Sequence, residues 1–144
     1  MGILDSLDMG ANALKTQGLR LDVHAKNIAN IDTPNYVRKI PILSEVNSSS
    51  FSGVMGDLQT GMLGANTIKG GVSFTGVVED PNLGEKIYKP GHPDADKNGY
   101  IRASNVNPMA DMADAMLAQR AYEANLALIN ISRAMALKAV EIGK

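Results

Sequence analysis

All six prolines (Pro34, Pro41, Pro81, Pro90, Pro93 and Pro108) lie between positions 34 and 108 of a 144-residue chain. Proline lacks the amide hydrogen that a helix interior needs and clashes with the turn before it. The middle therefore cannot be a long helix, while the first 33 and the last 36 residues carry no such bar. The distribution predicts a mainly α chain with a small β part, in which two long terminal helices enclose an irregular, β-rich middle.

Periodicity supports the first helix from about Ile3 to Asn30. Leu7, Leu14, Leu21 and Ile28 recur every seven residues, with Leu4, Ala11, Gly18 and Ala25 three positions ahead of each. That is a heptad stripe with aliphatics at one seam position and mostly small residues at the other. Gly10 and Gly18 each cost the helix about 1 kcal/mol relative to Ala. Gly18 falls on the seam, where either close approach of another backbone or simple tolerance accounts for it.

The last helix opens at Asn107-Pro108, a capping residue followed by proline in the first helical position. Asp111 and Asp114 near its start and Lys138 and Lys144 near its end suit the helix dipole. Leu117, Ala121, Ala124, Leu128, Ile131 and Met135 follow 4-3-4-3-4 spacing, and Tyr122, Leu126, Ile129, Ala136 and Val140 form a second stripe. Two apolar faces are more than one partner helix covers. Helices of about 42 and 51 Å also overhang the roughly 37 Å globule that such a chain makes. They are expected to pair as an antiparallel coiled-coil stalk and to find further partners outside the chain. Leu7, Leu14, Leu21, Ile28, Leu117, Ala121, Leu128 and Met135 are the expected assembly interface.

In the middle, Val37–Val46 is a strand candidate demoted towards an edge by Pro41. Val72–Glu79, Glu85–Lys89 and Gly99–Ala103 are others. Seven of the fourteen glycines lie between Gly53 and Gly76, and Asp57 is the sole charge from Val46 to Ile68. The stretch 46–72 is expected to be a flexible loop or an arm that orders on a partner. The expected units are 1–35 and 107–144, together one helical domain, with 36–106 as a small middle domain.

Composition excludes much chemistry. There is no cysteine, so disulfides, thiolate catalysis and Cys-zinc sites are out. With only His24 and His92, a multi-histidine metal centre is out as well. A formal net charge of -1 without a basic block gives no reason to expect nucleic acid. No 18-residue apolar run predicts a membrane span. Asp5 and Asp8 stand where a cleaved signal would carry Lys or Arg, so export by a route without one, or none, is expected. His24, between Asp22 and Lys26, is expected to be solvated. No catalytic constellation can be assembled, and no cofactor is expected. Met1-Gly2-Ile3-Leu4-Asp5-Ser6 fits a short myristoylation pattern, but Leu4 is already explained by the heptad. Met109, Met112 and Met116 suit packing at a helix interface. Asp94-x-Asp96-x-Asn98-Gly99 is either half of a calcium loop or a polar turn. Asn105 in place of the twelfth-position carboxylate, and prolines where a helix should lead in, weigh for the turn.

The junction Asn27-Ile28-Ala29-Asn30-Ile31-Asp32-Thr33-Pro34-Asn35-Tyr36 resembles the Asn-rich signature that ends the N-terminal helix of bacterial flagellar rod, hook and related axial proteins. Asn27, Ala29, Asn30, Thr33, Pro34 and Tyr36 carry that likeness. Tyr88-Lys89-Pro90-Gly91-His92-Pro93-Asp94-Ala95-Asp96, then Gly99-Tyr100 and Asn105-Val106-Asn107, is similar to a block of the proximal rod members. Arg120, Tyr122 and Asn125 resemble their C-terminal helix. The resemblance covers about two-thirds of the chain and omits 46–72. It implies a structural subunit of the periplasmic rod in the flagellar basal body, the drive shaft that carries motor torque. Such a subunit passes the flagellar type III export apparatus without a cleaved signal. Implied partners are copies of itself, other proximal rod proteins, the adaptor joining rod to membrane ring, and distal rod proteins. Within the resemblance another flagellar rod protein is the competing reading, against which only the 88–108 block argues; from the residues alone, a coiled-coil adaptor and a calcium-binding interaction module compete.

Overall fold

A computed structural model describes residues 3–46 and 71–142. The expected loop at 46–72 lies almost wholly outside the described residues. Helix α1 runs Ile3–Ala29 and helix α2 Pro108–Ile142. Between them come β1 (Lys39–Glu45), β2 (Val72–Glu79), β3 (Lys86–Tyr88) and β4 (Tyr100–Arg102). The chain is two long helices with a small β part. Neither described helix is long and apolar enough to cross a membrane.

Both helix boundaries have local causes. At the end of α1, the amides of Asn30 and Ile31 bond back three residues, to Asn27 and Ile28. The Asn30 amide group donates to the Lys26 carbonyl at 2.8 Å, satisfying one of the acceptors that a helix end strands. Thr33-Pro34-Asn35-Tyr36 then turns the chain. Pro34 sits second, Asn35 takes φ of 61°, and the Tyr36 amide closes on the Thr33 carbonyl at 3.3 Å, the pattern of a type II turn. At the start of α2, the Asn107 side-chain oxygen accepts from the Ala110 amide at 3.2 Å, with Pro108 following as the first helical residue.

β1 and β2 form an antiparallel ribbon from Lys39↔Glu79 to Glu45↔Val72, with a bulge between Ile42 and Leu43. Each strand is an edge, which is how β1 accommodates Pro41. The ribbon lies along α1. Asn27 holds the Lys39 end and the Thr16 hydroxyl donates to the Val72 carbonyl at 3.0 Å. β3 and β4 pair antiparallel through Ile87↔Ile101, and Ile101 is buried.

The helices pack antiparallel, with Asn27 beside Asp111 and Gly10 against Ile129. α2 turns Asp111, Ala115, Ala118, Asn125, Ile129, Ser132 and Ala136 inward, while Leu117, Leu128, Ile131 and Met135 are exposed. Among the described apolar side chains only Val23, Ile101, Val106 and Ala118 are buried. The close approach falls at Gly10, not Gly18. A Cβ on Gly10 would lie 2.7 Å from Ile129 Cγ1, whereas one on Gly18 would meet nothing within 4 Å. We expect Gly10→Val to destabilise the chain by about 1–3 kcal/mol through overpacking. Ile129→Ala in the same chain should recover part of that loss in a urea unfolding series. Additive losses would place the strain elsewhere.

Candidate functional site

Where α1, the residues before β1 and the first turn of α2 meet, the interior is polar. Asp111 is 0% exposed. Its carboxylate accepts from Arg38 Nε at 2.8 Å, from Arg38 Nη2 at 3.3 Å and from the Asn27 side-chain amide at 3.0 Å. His24 Nδ1 lies 2.8 Å from Asp111 Oδ1. A carboxylate only accepts, so Nδ1 carries the hydrogen. Burial alone would push the Asp111 carboxyl up, but the hydrogen bonds from Arg38, His24 and Asn27 and the Arg38 charge outweigh it. The net result is a carboxyl held below its ordinary value.

Asn27 is fully buried and uses all four of its hydrogen-bonding positions. It donates to the Lys39 carbonyl at 2.8 Å and to Asp111, and accepts from the Lys39 amide at 2.9 Å and the Tyr36 hydroxyl at 3.1 Å. Its amide thus stands beside Lys39 as a neighbouring strand would. Burial, and then the Asp111 charge, raise the Tyr36 phenol above its usual value, so it remains a donor. The Arg38 amide donates to Asn105 Oδ1 at 2.6 Å, and the Asn105 amide group donates to the Asn82 carbonyl. Arg38 and Arg20 both reach Asp114, at 3.7 and 3.9 Å. One network therefore ties the helix-stop segment, the start of the ribbon and the cap of α2 together.

His24, expected in solvent, is only 3% exposed. Asp22 and Lys26 do pair with each other on the outer face at 2.7 Å, but position 24 points a different way round the helix, towards α2. Its Nε2 is buried without a hydrogen-bond partner among the described residues.

The helix-stop residues divide in role. Asn27 and Tyr36 enter the network. Asn30 caps, with Thr33 donating to its side-chain oxygen at 3.1 Å, Pro34 shapes the turn, and Ala29 is exposed. Asn35 exchanges bonds with Arg102, through its amide to the Arg102 carbonyl at 2.9 Å and through its side-chain oxygen from the Arg102 amide at 3.2 Å.

Tyr88, Pro90, Gly91, His92, Pro93, Asp96, Gly99 and Tyr100 build the β3–β4 hairpin. The Tyr88 and Tyr100 rings stand 5.1 Å apart. Gly99 has φ of 79°, and a Cβ there would press on Pro90 and Tyr88. Asp96 Oδ1 accepts from the amides of Asn98 at 2.8 Å and Tyr100 at 2.9 Å. The bond from the Tyr100 amide is the chief cause of its lowered pKa. This carboxylate is engaged as a turn organiser. We expect Asp96→Asn, which retains an accepting oxygen, to leave the melting temperature within about 2 °C in buffer with or without calcium. A calcium-dependent rise would assign a ligand role instead. Asn105 joins the network above, Val106 is buried, Asn107 caps, Arg120 and Tyr122 are exposed, and Asn125 is half-buried towards α1.

Of the expected assembly residues, Leu117, Leu128 and Met135 are exposed, whereas Leu7, Leu14, Leu21, Ile28 and Ala121 are half-buried. Sequence reasoning gave Asp111 only a dipole role and passed over Arg38. The available signal was the heptad Asp111, Ala118, Asn125, Ser132, a small and polar line that an apolar search skips.

Two family models match the chain. The one described as flagella basal body rod protein covers residues 7–36, and flagellar basal body rod FlgEFG protein C-terminal covers 97–142. The two spans contain His24, Asn27, Tyr36, Asn105 and Asp111. Over the whole length of both chains, the sequence is 35% identical to flagellar basal-body rod protein FlgC of Bacillus subtilis. It is 31% identical to that of Salmonella typhimurium, again over both whole chains. The protein of Borreliella burgdorferi is 34% identical over 99% of this chain and 98% of its own.

Proposed function

The chain belongs to the flagellar basal-body rod protein FlgC family, and from that premise we propose that it is a subunit of the proximal rod, polymerising through its terminal helices to carry motor torque. The family makes it a structural protein of the flagellar basal body. The observation that carries the polymerising role is the imbalance in burial. Among the described residues few apolar side chains are buried, while Leu128 is 60% and Met135 64% exposed along one line of α2. A surface of that kind marks an interaction site. Copies of the chain and other rod proteins complete it, with the ring-to-rod adaptor and distal rod proteins at the ends. Torque calls for stiffness, and long packed helices supply it. Residues 1–35 and 107–144 act as one helical unit, with 36–106 as the middle domain. No catalytic step enters this reading. Export to the periplasm through the flagellar type III apparatus, without a cleaved signal, completes it.

Quantitative mass spectrometry of detergent-extracted basal bodies tests the reading. A few copies per basal body, retained after hook and filament are stripped, are expected. Absence from intact basal bodies would overturn it and favour a coiled-coil adaptor.

A further inference from the structure

Two adjacent lines along α2 present a puzzle of rotation. Leu117 immediately precedes Ala118, Leu128 precedes Ile129, and Met135 precedes Ala136. One residue of an α-helix is about 100°, so turning α2 by that angle would bring the first residue of each pair to where the second now lies. Apolar burial alone favours the turn, because Leu, Leu and Met would replace Ala, Ile and Ala against α1. The observed rotation does the opposite. It turns Ala118, Asn125 and Ser132 inward and leaves Leu117, Leu128 and Met135 in solvent. A seam of small residues holds rotation weakly, so something else must choose.

We propose that the buried cluster of Asp111, Arg38, His24 and Asn27 sets the rotation of α2, and that its role is to keep the larger apolar stripe facing outward. Asp111 lies on the same line as Ala118, Asn125 and Ser132, at seven-residue spacing. Its carboxylate meets donors from two other elements, His24 and Asn27 on α1 and Arg38 ahead of β1. Turning α2 by 100° would withdraw that carboxylate from all three. It would take the main acceptor from the half-buried Arg38 guanidinium, the one described ring partner from the buried His24 and one of four bonds from Asn27, while carrying the Asp111 charge away from its donors, a heavier loss than the apolar gain. These are positioning residues. They decide which face the subunit offers, without touching a partner. Buried polar groups that select one register among near-equivalent packings are known from coiled coils.

The test reads rotation directly and uses the absence of native cysteine. Leu128→Cys and Ser132→Cys are made singly in the full chain, at a concentration where sedimentation shows a monomer. Each is then placed in a second background carrying Asp111→Leu, Arg38→Met and His24→Leu. Alkylation rates with a maleimide are compared, and far-ultraviolet circular dichroism checks helix content. In the parent background, the thiol of Leu128→Cys should react at least tenfold faster than that of Ser132→Cys. In the apolar background that order should invert at unchanged helix content. An unchanged order at unchanged helix content would overturn the proposal, showing that the Asn107 cap and the buried Val106 suffice. Equal rates in the parent background would also overturn it, since no rotation would then be fixed. If the triple variant loses its helical signal, Asp111→Asn carries the test. A fall in the ratio of the two alkylation rates, Leu128→Cys over Ser132→Cys, supports the proposal, and an unaltered ratio overturns it.

Discussion

Asp111→Ala is expected to lower the unfolding free energy by roughly 3–5 kcal/mol, the range for removing one partner of a buried ion pair. The loss exceeds the value of any single bond because three groups lose an acceptor at once. Arg38 loses its main acceptor, His24 loses the one ring partner it has among the described residues, and Asn27 keeps three of its four bonds. Urea unfolding followed by circular dichroism measures it. A loss below about 1 kcal/mol, typical of exposed pairs, would mean that water reaches the site and that the cluster does not hold the helices. Acid should reproduce part of the effect. The folded-state pKa of Asp111 is depressed, so its contribution is fully present above the ordinary carboxylate value near ~3.9 and is lost as pH falls below that, through the folded-state value. Asp111→Asn should accordingly show a flatter stability profile in that acid window than the parent. Parallel profiles would remove Asp111 from the acid response.

Leu128→Asp is expected to leave the isolated chain within about 0.5 kcal/mol of its original stability, as surface substitutions generally do, yet to abolish rod assembly and swimming. The two readouts part company because Leu128 is exposed in the single chain and is buried, on our reading, only between subunits. There the substitution forfeits the roughly 1.5–3 kcal/mol of a buried leucine and adds an unpaired buried charge, and a polymer repeats that loss at every copy. Export should persist, and immunoblots of the exported fraction would check it. Normal swimming would sink the packing claim. Leu14→Asp is expected to abolish assembly too, but Leu14 is half-buried, so it should also destabilise the chain itself and is the less discriminating variant.

Much of the fold could be read from local rules. Proline placement marked the two helices, Asn107-Pro108 marked the start of α2, and all four strand candidates lay within two residues of their observed ends. Local chemistry dictates such features, and neighbours in sequence are enough to infer them. The family likeness was legible for the same reason, since the helix stop and the 88–108 block are contiguous. The polar junction was not. His24 and Asp111 are 87 residues apart, and Arg38 and Asp111 73. In isolation His24 resembles a surface residue, Arg38 a strand edge and Asp111 a dipole partner.

The amino-acid sequence by itself determined where the helices begin and end, that they outrun any core the chain could build, and that no cysteine chemistry is open to it. Those follow from backbone sterics, capping and composition, each acting over a few residues. Only the tertiary structure decided which side of α2 meets α1. The outward line of Leu117, Leu128 and Met135 and the inward line of Ala118, Ile129 and Ala136 follow the same helical period, so periodicity cannot rank them. The choice is made by one carboxylate whose donors come from distant parts of the chain, and a buried charge tolerates no orientation in which they are missing.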